Sequence, residues 1–420
     1  MTSENGSYNG RRRVVVTGMG AVTPLGLDVE SSWSALLAGE SGAGPITRFD
    51  HTDYKVHFAC EVKGLDPADW MDKKDARRVD RFTHLIVAAA RQAETDSGLD
   101  IAKEADRIGA SIATGIGGLA SFQDAYYTLI SKGPNRVSPF AIPAIIPNLG
   151  AGWVSIELGT RGPLMSECTA CAASNMAIGD ATDAIRLGRA DVMIAGGTEA
   201  AVNEVGIAGF AAMRALSTRN DDPTHASRPF DAERDGFVMG EAGAALVLEE
   251  LEHAKARGAK IYAEAAGYGL SSDAKHITDP DPTGPVNAFQ MALRDAGVAP
   301  EEIDYINAHA TSTPVGDSSE TQMLKYALGE ETAYKIPVSG TKGATGHCLG
   351  GSGAIEATFT ILAIRDGKLP PTINYEVADP ACDLDYVPNE PRDADVKIAV
   401  SNSFGFGGHN ACVVFKRFAD

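Results

Sequence analysis

The ten-residue run "SECTACAASN" at 166–175 carries two of the chain's six cysteines in C-x-x-C spacing, among residues that are otherwise small. Three chemistries use such a pair. A structural zinc site needs four ligands, usually completed by a second C-x-x-C or a close histidine pair, and neither occurs elsewhere in the sequence. A thioredoxin-type redox pair belongs near the start of a small βαβ domain, whereas this pair lies mid-chain. The third reading is one nucleophile with a neighbour: a helix of small residues is predicted over Ala172 to Leu187, and Cys171 stands at the turn into it. A thiol there meets the positive end of the helix dipole and unpaired backbone N–H groups, so its pKa is expected to fall. Cys171 is therefore the candidate nucleophile, while Cys60, Cys382 and Cys412 read as small buried hydrophobes.

Two histidines stand apart from the rest by context. His309 follows a predicted strand in "NAHATSTP", and His347 closes the glycine-rich stretch "GTKGATGH". His51, His57, His84, His225 and His253 read as structural. Lys342, in the same stretch as His347, is costly to bury unless it meets a carboxylate, and Glu320 is the candidate partner.

Elements must bring these separated residues together. Strands are predicted at Val14–Thr17, Ile108–Ala113, Val192–Ala195 and Ala244–Leu248, with helices over Arg81–Thr95 and Ala172–Leu187. A second series follows, with strands at Ile261–Ala265, Tyr305–Asn307, Ile336–Ser339, Ile398–Ser401 and Ala411–Phe415. Its helices are predicted over Val286–Ala296, Glu320–Leu328 and Ala354–Arg365, and a charged helix over Glu249–Gly258 is expected to connect the halves. Glycine-rich turns are expected to end strands at Thr17–Gly20, Gly115–Gly118, Gly196–Glu199 and Ser403–Gly408, the edge where open α/β sheets bind ligands. Two α/β series point to a pseudo-repeat, although the halves share little residue-level similarity.

Composition sets outer bounds. The 420 residues are 44% hydrophobic and 22% charged, and no linker composition divides them. Forty-five glycines suit layered helix-on-sheet packing. Six scattered cysteines do not form a disulfide-stapled pattern, so reduced thiols are expected. A net charge of -19 argues against nucleic acid and anionic membranes as partners. Apolar runs are too short to span a bilayer and residues 1–10 have no signal-peptide core, so a soluble, cytoplasmic chain with a disordered tail over 1–12 is expected.

The ordered set of Cys171 in "TACAAS", His309 in "NAHATSTP", Lys342 and His347 in "GTKGATGH" and the loop "NSFGFGGHN" at 402–410 resembles the β-ketoacyl-acyl carrier protein synthases, closest to the elongating type II. The likeness runs from Val14 to Phe415 and includes the long block 215–264 and "PPTINYE" at 370–376. The resemblance implies the thiolase fold: two related α/β halves in five αβαβα layers, divided here as 13–252 and 253–420, usually as a homodimer. It implies that Cys171 takes the acyl chain from an acyl carrier protein as a thioester. His309 and His347 would then support decarboxylation of the malonyl partner, with Lys342 and Glu320 as the orienting ion pair.

Further roles follow from the same resemblance. Backbone N–H groups of Cys171 and Phe406 would form an oxyanion hole. Phe404 and Phe406 would gate the acyl pocket, which Ile116, Phe210 and Ala141 would line. Thr311 and Thr313 would contact the pantetheine arm, and Lys73, Lys74, Arg77 and Arg214 would dock the acidic carrier. No metal and no cofactor is implied beyond the carrier's phosphopantetheine. Ala310, Cys168 and Ala141 depart from the family's usual residues. A polyketide ketosynthase shares the pattern, and the 215–264 block favours fatty acid synthesis. A noncatalytic chain-length factor would lack Cys171. Degradative thiolases carry a second cysteine where this chain has "GFGGHN", and initiating synthases pair one histidine with an asparagine. A dinucleotide-binding reading of Gly18-Met-Gly20 fails because Thr23 occupies the third glycine position.

Overall fold

The computed structural model describes residues 7–8, 11–278 and 281–419. The β-branched runs become ten strands of one mixed sheet: β1 (Val14–Val22), β2 (Ile108–Ala113), β3 (Leu164–Met165), β4 (Val192–Ala200), β5 (Glu241–Glu250), β6 (Ala263–Ser272), β7 (Tyr305–Asn307), β8 (Val338–Ser339), β9 (Ile398–Gly405) and β10 (His409–Lys416). Their order in space is β8-β7-β9-β10-β6-β1-β5-β4-β2-β3. Outward from the β6–β1 contact, each half lays down its first, fifth, fourth, second and third strand with the same parallel and antiparallel pairings. The repeat faint in sequence is complete in topology. Within the sheet, the two halves pair through Val16 with Ala263 and Val15 with Glu264.

Among the described residues, the helices that position the rest include α1 (Arg81–Ser97), α2 (Leu119–Lys132), α3 (Leu149–Leu158), α4 (Ala173–Arg186), α5 (Glu204–Ala212), α6 (Thr283–Ala296), α7 (Pro314–Leu328) and α8 (Ser352–Asp366). Helices α4 and α8 pack against each other and against strands of both halves, so they form a middle layer. α1 and α3 cover the outer face of the first half, and α6 and α7 that of the second, which gives the five layers of the thiolase fold. The sequence of α8 accounts for its place. Every residue from Ser352 to Ile364 is buried, and a helix without a polar face belongs in the interior. By contrast, α1 buries Leu85, Ile86, Ala89 and Ala93 and keeps Glu94 and Thr95 toward solvent.

Several expectations are corrected here. Thr17–Gly20 and Gly196–Glu199 are not turns; both lie inside strands, in β1 and β4. Their glycines serve close packing: a Cβ on Gly18 would stand 2.4 Å from the Ala93 carbonyl oxygen of α1, and one on Gly20 2.0 Å from that of Ala89. The connecting helix is shorter than expected, Leu251–Ala256, because β5 runs on through Glu250 and buries Glu249 against Arg257, Thr17 and His253. Of the tail over 1–12, residues 1–6, 9 and 10 lie outside the described residues. Residues 7–8 pair with Arg11–Arg12 as a short ribbon, and Arg11 and Arg12 are held by Asp295 and Asp191. Among the described residues, no helix is long and apolar enough to cross a membrane.

Candidate active site

Residues from both halves converge where α4 begins. Cys171 sits in the turn Ala170–Ala172 that leads into α4, and it is 7% exposed. Ala170 holds a left-handed backbone (φ +51°) that aims the turn. Behind it, a Cβ on Gly405 would stand 2.7 Å from the Thr169 carbonyl oxygen and 3.2 Å from the Cys171 nitrogen, so only glycine lets β9 approach.

His347 comes from the other half, just before α8, and its Nε2 lies 3.0 Å from Cys171 Sγ. Its ring is fixed on three sides: Nδ1 is 3.0 Å from Ser352 Oγ, its backbone N–H donates to the Val238 carbonyl (2.7 Å), and the Phe237 ring meets it edge-on. His309 follows β7 and stands edge-on to His347 with ring centres 5.5 Å apart. Cys171 Sγ and one nitrogen of each histidine all lie within 4.8 Å of one another.

The expected Lys342–Glu320 pair does not form. Lys342 is 1% exposed, and its Nζ donates to Glu356 Oε1 and to the His309 carbonyl oxygen, both at 2.5 Å. Glu320 faces backbone instead. Its two oxygens accept from the N–H groups of His309 (2.9 Å) and Ala310 (2.8 Å). The physical reason is position: Glu356 projects from the buried middle helix α8 toward the lysine, while Glu320 on α7 caps the chain leaving β7. Both carboxylates thus hold His309 through its main chain, Glu320 at the N–H and Glu356 by way of Lys342. Glu356 was missed in the sequence; its signal was a lone acid in an otherwise uncharged helical stretch from Ser352 to Ile364.

Glu199 was missed as well. It is fully buried at the end of β4 and accepts from the N–H groups of Gly115 (2.7 Å) and Gly350 (3.2 Å), tying the turn after β2 to the turn before α8. Farther out, Arg228 and Asp231 form a buried pair (2.9 Å), and the Ser312 hydroxyl accepts from the Arg228 N–H (2.9 Å). That network anchors the chain between His309 and Thr313.

Electrostatics depart from the sequence reading of the thiol. Burial pushes Cys171 up to about 12, against the pull of Lys342 and of the backbone N–H groups of Phe406 and Cys171 itself. Desolvation of the sulfur outweighs the helix terminus, so the Cys171 thiol keeps its proton near pH 7. Both histidines are driven well below the usual imidazole value, first by burial and then by Lys342, and are neutral near pH 7. Burial lifts Glu356 and Glu199 each to about 7.

A cavity of about 420 Å³ opens above these groups, lined by Phe210, Phe404, Phe406, Thr311, Thr313 and Arg214. Thr313 Oγ1 also caps α7 by accepting from the Gly316 N–H. Gly407 and Gly408 take positive φ beside the half-exposed Phe406, and the Gly407 N–H donates to the Ile277 carbonyl. Ile116 and Ala141 are corrected: neither lines this cavity. Ile116 packs beneath it in the cluster that holds Cys171 and Leu349, and Ala141 is buried in the short helix Ala141–Ile145. Cys168 is exposed, with its Sγ 3.4 Å from the Gly115 carbonyl oxygen, so the cysteines of the C-x-x-C pair have different surroundings. Lys73, Lys74, Arg77 and Arg214 are all exposed, the first three on or next to the one-turn helix Lys73–Ala76 and the last at the cavity.

The chain matches the family models described as "Beta-ketoacyl synthase, N-terminal domain" over residues 11–254 and "Beta-ketoacyl synthase, C-terminal domain" over 262–376. It is 54% identical to 3-oxoacyl-[acyl-carrier-protein] synthase 2 of Synechocystis sp., over 97% of this chain and 99% of that protein. It is 52% identical to the protein of the same name from Staphylococcus aureus, with the same coverage. Among solved structures, the ishigamide ketosynthase/chain length factor superposes with a TM-score of 0.91 at 37% identity, covering 97% of this chain and all of that one. A type II polyketide acyl-carrier protein in complex with its ketosynthase gives 0.89 at 34%, with the same coverage. The chain belongs to the β-ketoacyl synthase family.

Proposed function

We infer that this chain is a 3-oxoacyl-[acyl-carrier-protein] synthase of the elongating type, joining an acyl group to malonyl-carrier protein by decarboxylative condensation. The observation that carries the residue roles is Cys171 Sγ at 3.0 Å from His347 Nε2, with His309 beside both, at the floor of an apolar cavity. Cys171 attacks the acyl thioester; the thiol proton leaves with the pantetheine sulfur, and the acyl group stays on the enzyme. Malonyl-carrier protein then loses carbon dioxide, and ring N–H groups of His309 and His347 hold the enolate oxygen. Neutral imidazoles suit that task because no charge must be reorganised, and one such donor is worth roughly 2.7–4 kcal/mol. The carbanion attacks the acyl-Cys171 carbonyl, whose oxyanion meets the N–H groups of Cys171 and Phe406, and the Cys171 sulfur departs. Glu320, Lys342 and Glu356 position His309.

Thr311 and Thr313 border the path of the pantetheine arm, and Phe404 and Phe406 close the acyl pocket. The exposed Lys73, Lys74, Arg77 and Arg214 form the docking site for an acidic carrier on an otherwise acidic enzyme. Substrates ride on the carrier's phosphopantetheine, and this chain holds no cofactor of its own. The halves divide as 13–252, bearing the nucleophile, and 253–420, bearing the histidines. A homodimer accounts for the apolar side chains left exposed on α2, on the helix Ala141–Ile145, on α3 and on edge strand β3, among them Phe122, Tyr126, Ile130, Ile142, Ile156 and Leu164. A cytoplasmic setting goes with this reading. The higher identity to the two 3-oxoacyl-[acyl-carrier-protein] synthases (54% and 52%) than to the type II polyketide ketosynthase (34%) favours fatty acid elongation.

The test is intact and peptide mass spectrometry after incubation with acyl-carrier proteins of graded chain length, for the native enzyme, Cys171→Ala and Cys168→Ala. An acyl adduct confined to Cys171 and lost only in Cys171→Ala is expected. An adduct on Cys168, or none at all, would overturn the assignment.

A further inference from the structure

Three soft or borderline ligand atoms meet at the floor of the cavity: Cys171 Sγ and one ring nitrogen each of His309 and His347, all within 4.8 Å. A tetrahedral zinc site with Zn–S of about 2.3 Å and Zn–N of about 2.0–2.1 Å sets its ligands roughly 3.3–3.6 Å apart. The Sγ–Nε2 pair stands at 3.0 Å and the widest pair at no more than 4.8 Å, so a shift of roughly 1 Å at the widest side completes the triangle. The groups behind the ligands suit a metal. Ser352 Oγ engages His347 Nδ1 and leaves Nε2 toward the centre, the arrangement that fixes a ligating imidazole. Among the described residues, His309 has no such group behind it, and its Nδ1 is a buried nitrogen without a hydrogen-bond partner that a metal would satisfy. All three residues line the cavity of about 420 Å³, which leaves room for a water as fourth ligand.

We propose that the enzyme without acyl substrate binds one thiophilic divalent cation, Zn²⁺ by preference, through Cys171, His309 and His347, and that this metal-bound form is an inhibited resting state. One thiolate and two imidazoles select zinc over magnesium or calcium, which require oxygen ligands. On binding, the Cys171 S–H bond breaks, its proton passes to solvent and a Zn–S bond forms; nothing is oxidised. The sulfur electron pair that would attack a thioester is then committed to the metal, so acylation and metal binding exclude each other. Lys342 is the nearest opposing charge, and its salt bridge to Glu356 tempers that opposition. The proposal uses the same three side chains as the condensing reaction and stands whether or not the protein condenses acyl groups.

The test uses the full-length enzyme stripped with EDTA and titrated with Co²⁺, which reports tetrahedral thiolate coordination by intense visible bands and a near-ultraviolet charge-transfer band. Saturation at one Co²⁺ per chain is expected, with displacement by Zn²⁺, loss of the charge-transfer band in Cys171→Ala, weaker binding in His309→Ala and His347→Ala, and no change in Cys168→Ser. In parallel, iodoacetamide labelling of Cys171 is followed by peptide mass spectrometry. At free Zn²⁺ 100 times its dissociation constant, the unliganded fraction and the labelling rate fall about 100-fold, and EDTA restores them. Labelling that ignores Zn²⁺, or a Co²⁺ spectrum that survives Cys171→Ala or disappears in Cys168→Ser, overturns the site. Circular dichroism of each variant separates ligand loss from unfolding. Condensing activity of the metal-free enzyme is assayed separately, so failure of one reading leaves the other standing or falling on its own result.

Discussion

Replacing Glu356 by glutamine tests the internal support of the site. The carboxylate and Lys342 are 2% and 1% exposed and meet at 2.5 Å, and the same ammonium holds the His309 carbonyl. Removing one partner of a buried pair costs about 3–5 kcal/mol, because the remaining charge stays buried without compensation. Glutamine keeps the shape and one acceptor, so Glu356→Gln should fall at the lower end, about 3 kcal/mol, in urea unfolding at fixed protein concentration. Lys342→Met combined with Glu356→Gln should recover most of that loss, since both charges then leave together. A pH term follows. Burial lifts Glu356 to about 7, so between its usual value and about 7 the native state keeps a proton that the unfolded chain has released, and wild-type stability falls as pH rises; glutamine carries no such proton, so the variant's penalty should be smaller at about pH 8 than at about pH 6. Glu320→Gln is the control. It loses acceptor strength toward two backbone N–H groups but should couple to Lys342 by less than about 1 kcal/mol. A cycle in which Lys342 couples to Glu320 and not to Glu356 would refute the assignment.

Three further outcomes are expected. Alkylation of Cys171 should accelerate steadily with pH through neutrality, because burial holds the thiol up to about 12; a plateau near pH 7 in the iodoacetamide rate would contradict it. Acid should destabilise the fold through His309 and His347, which are neutral when folded and free to protonate when unfolded. Their contribution is intact above about 6.5 and is lost as pH falls below it, by up to about 1.4 kcal/mol per pH unit for each histidine. Asparagine at both positions should flatten that slope in unfolding measured from pH 7 to 5, and an unchanged slope would count against it. Gly405→Ala should cost roughly 1–3 kcal/mol by overpacking the Cys171 turn. Its acylation rate should fall at least about tenfold, equivalent to 1.4 kcal/mol, and wild-type rates by burst-phase mass spectrometry would refute the packing argument.

The regular elements were legible because their signals are local. Long apolar runs such as Ile108–Ala113 and the alanine-rich stretch of α4 needed no partner to be recognised. Errors arose where tertiary packing overrides local chemistry. Gly18, Gly20 and Gly196 look like turns, yet they are the places where a strand meets a helix or a neighbouring strand too closely for a Cβ. Cys171, His309 and His347 were legible from their small, polar surroundings. The choice between Glu320 and Glu356 was not, since both are acids on predicted helices and only the middle-layer position of α8 decides it. The Cys171 thiol was misjudged for a related reason: a helix terminus can be read from sequence, but the depth at which it is buried cannot.

The doubled topology explains why residues 176 positions apart in the chain meet at 3.0 Å. In each half, the middle-layer helix begins just after a turn of small residues: Cys171 lies in the turn before α4, and His347 lies shortly before α8. The pairing of α4 with α8 brings these corresponding places together, and the Ser174 hydroxyl donates to the Gly350 carbonyl across the join. The second strands of the halves correspond in the same way, but they have diverged. After β7 the chain presents His309 to the cavity. After β2 the corresponding segment, Thr114 to Ile116, is bound to Glu199 and supports the Gly350 turn. One copy of the loop carries the candidate catalytic histidine, and the other is tied to Glu199 behind the site. Loosening that tie should therefore be felt at His347 and Cys171 without any group that touches substrate being changed, a separation that comes from the duplication itself.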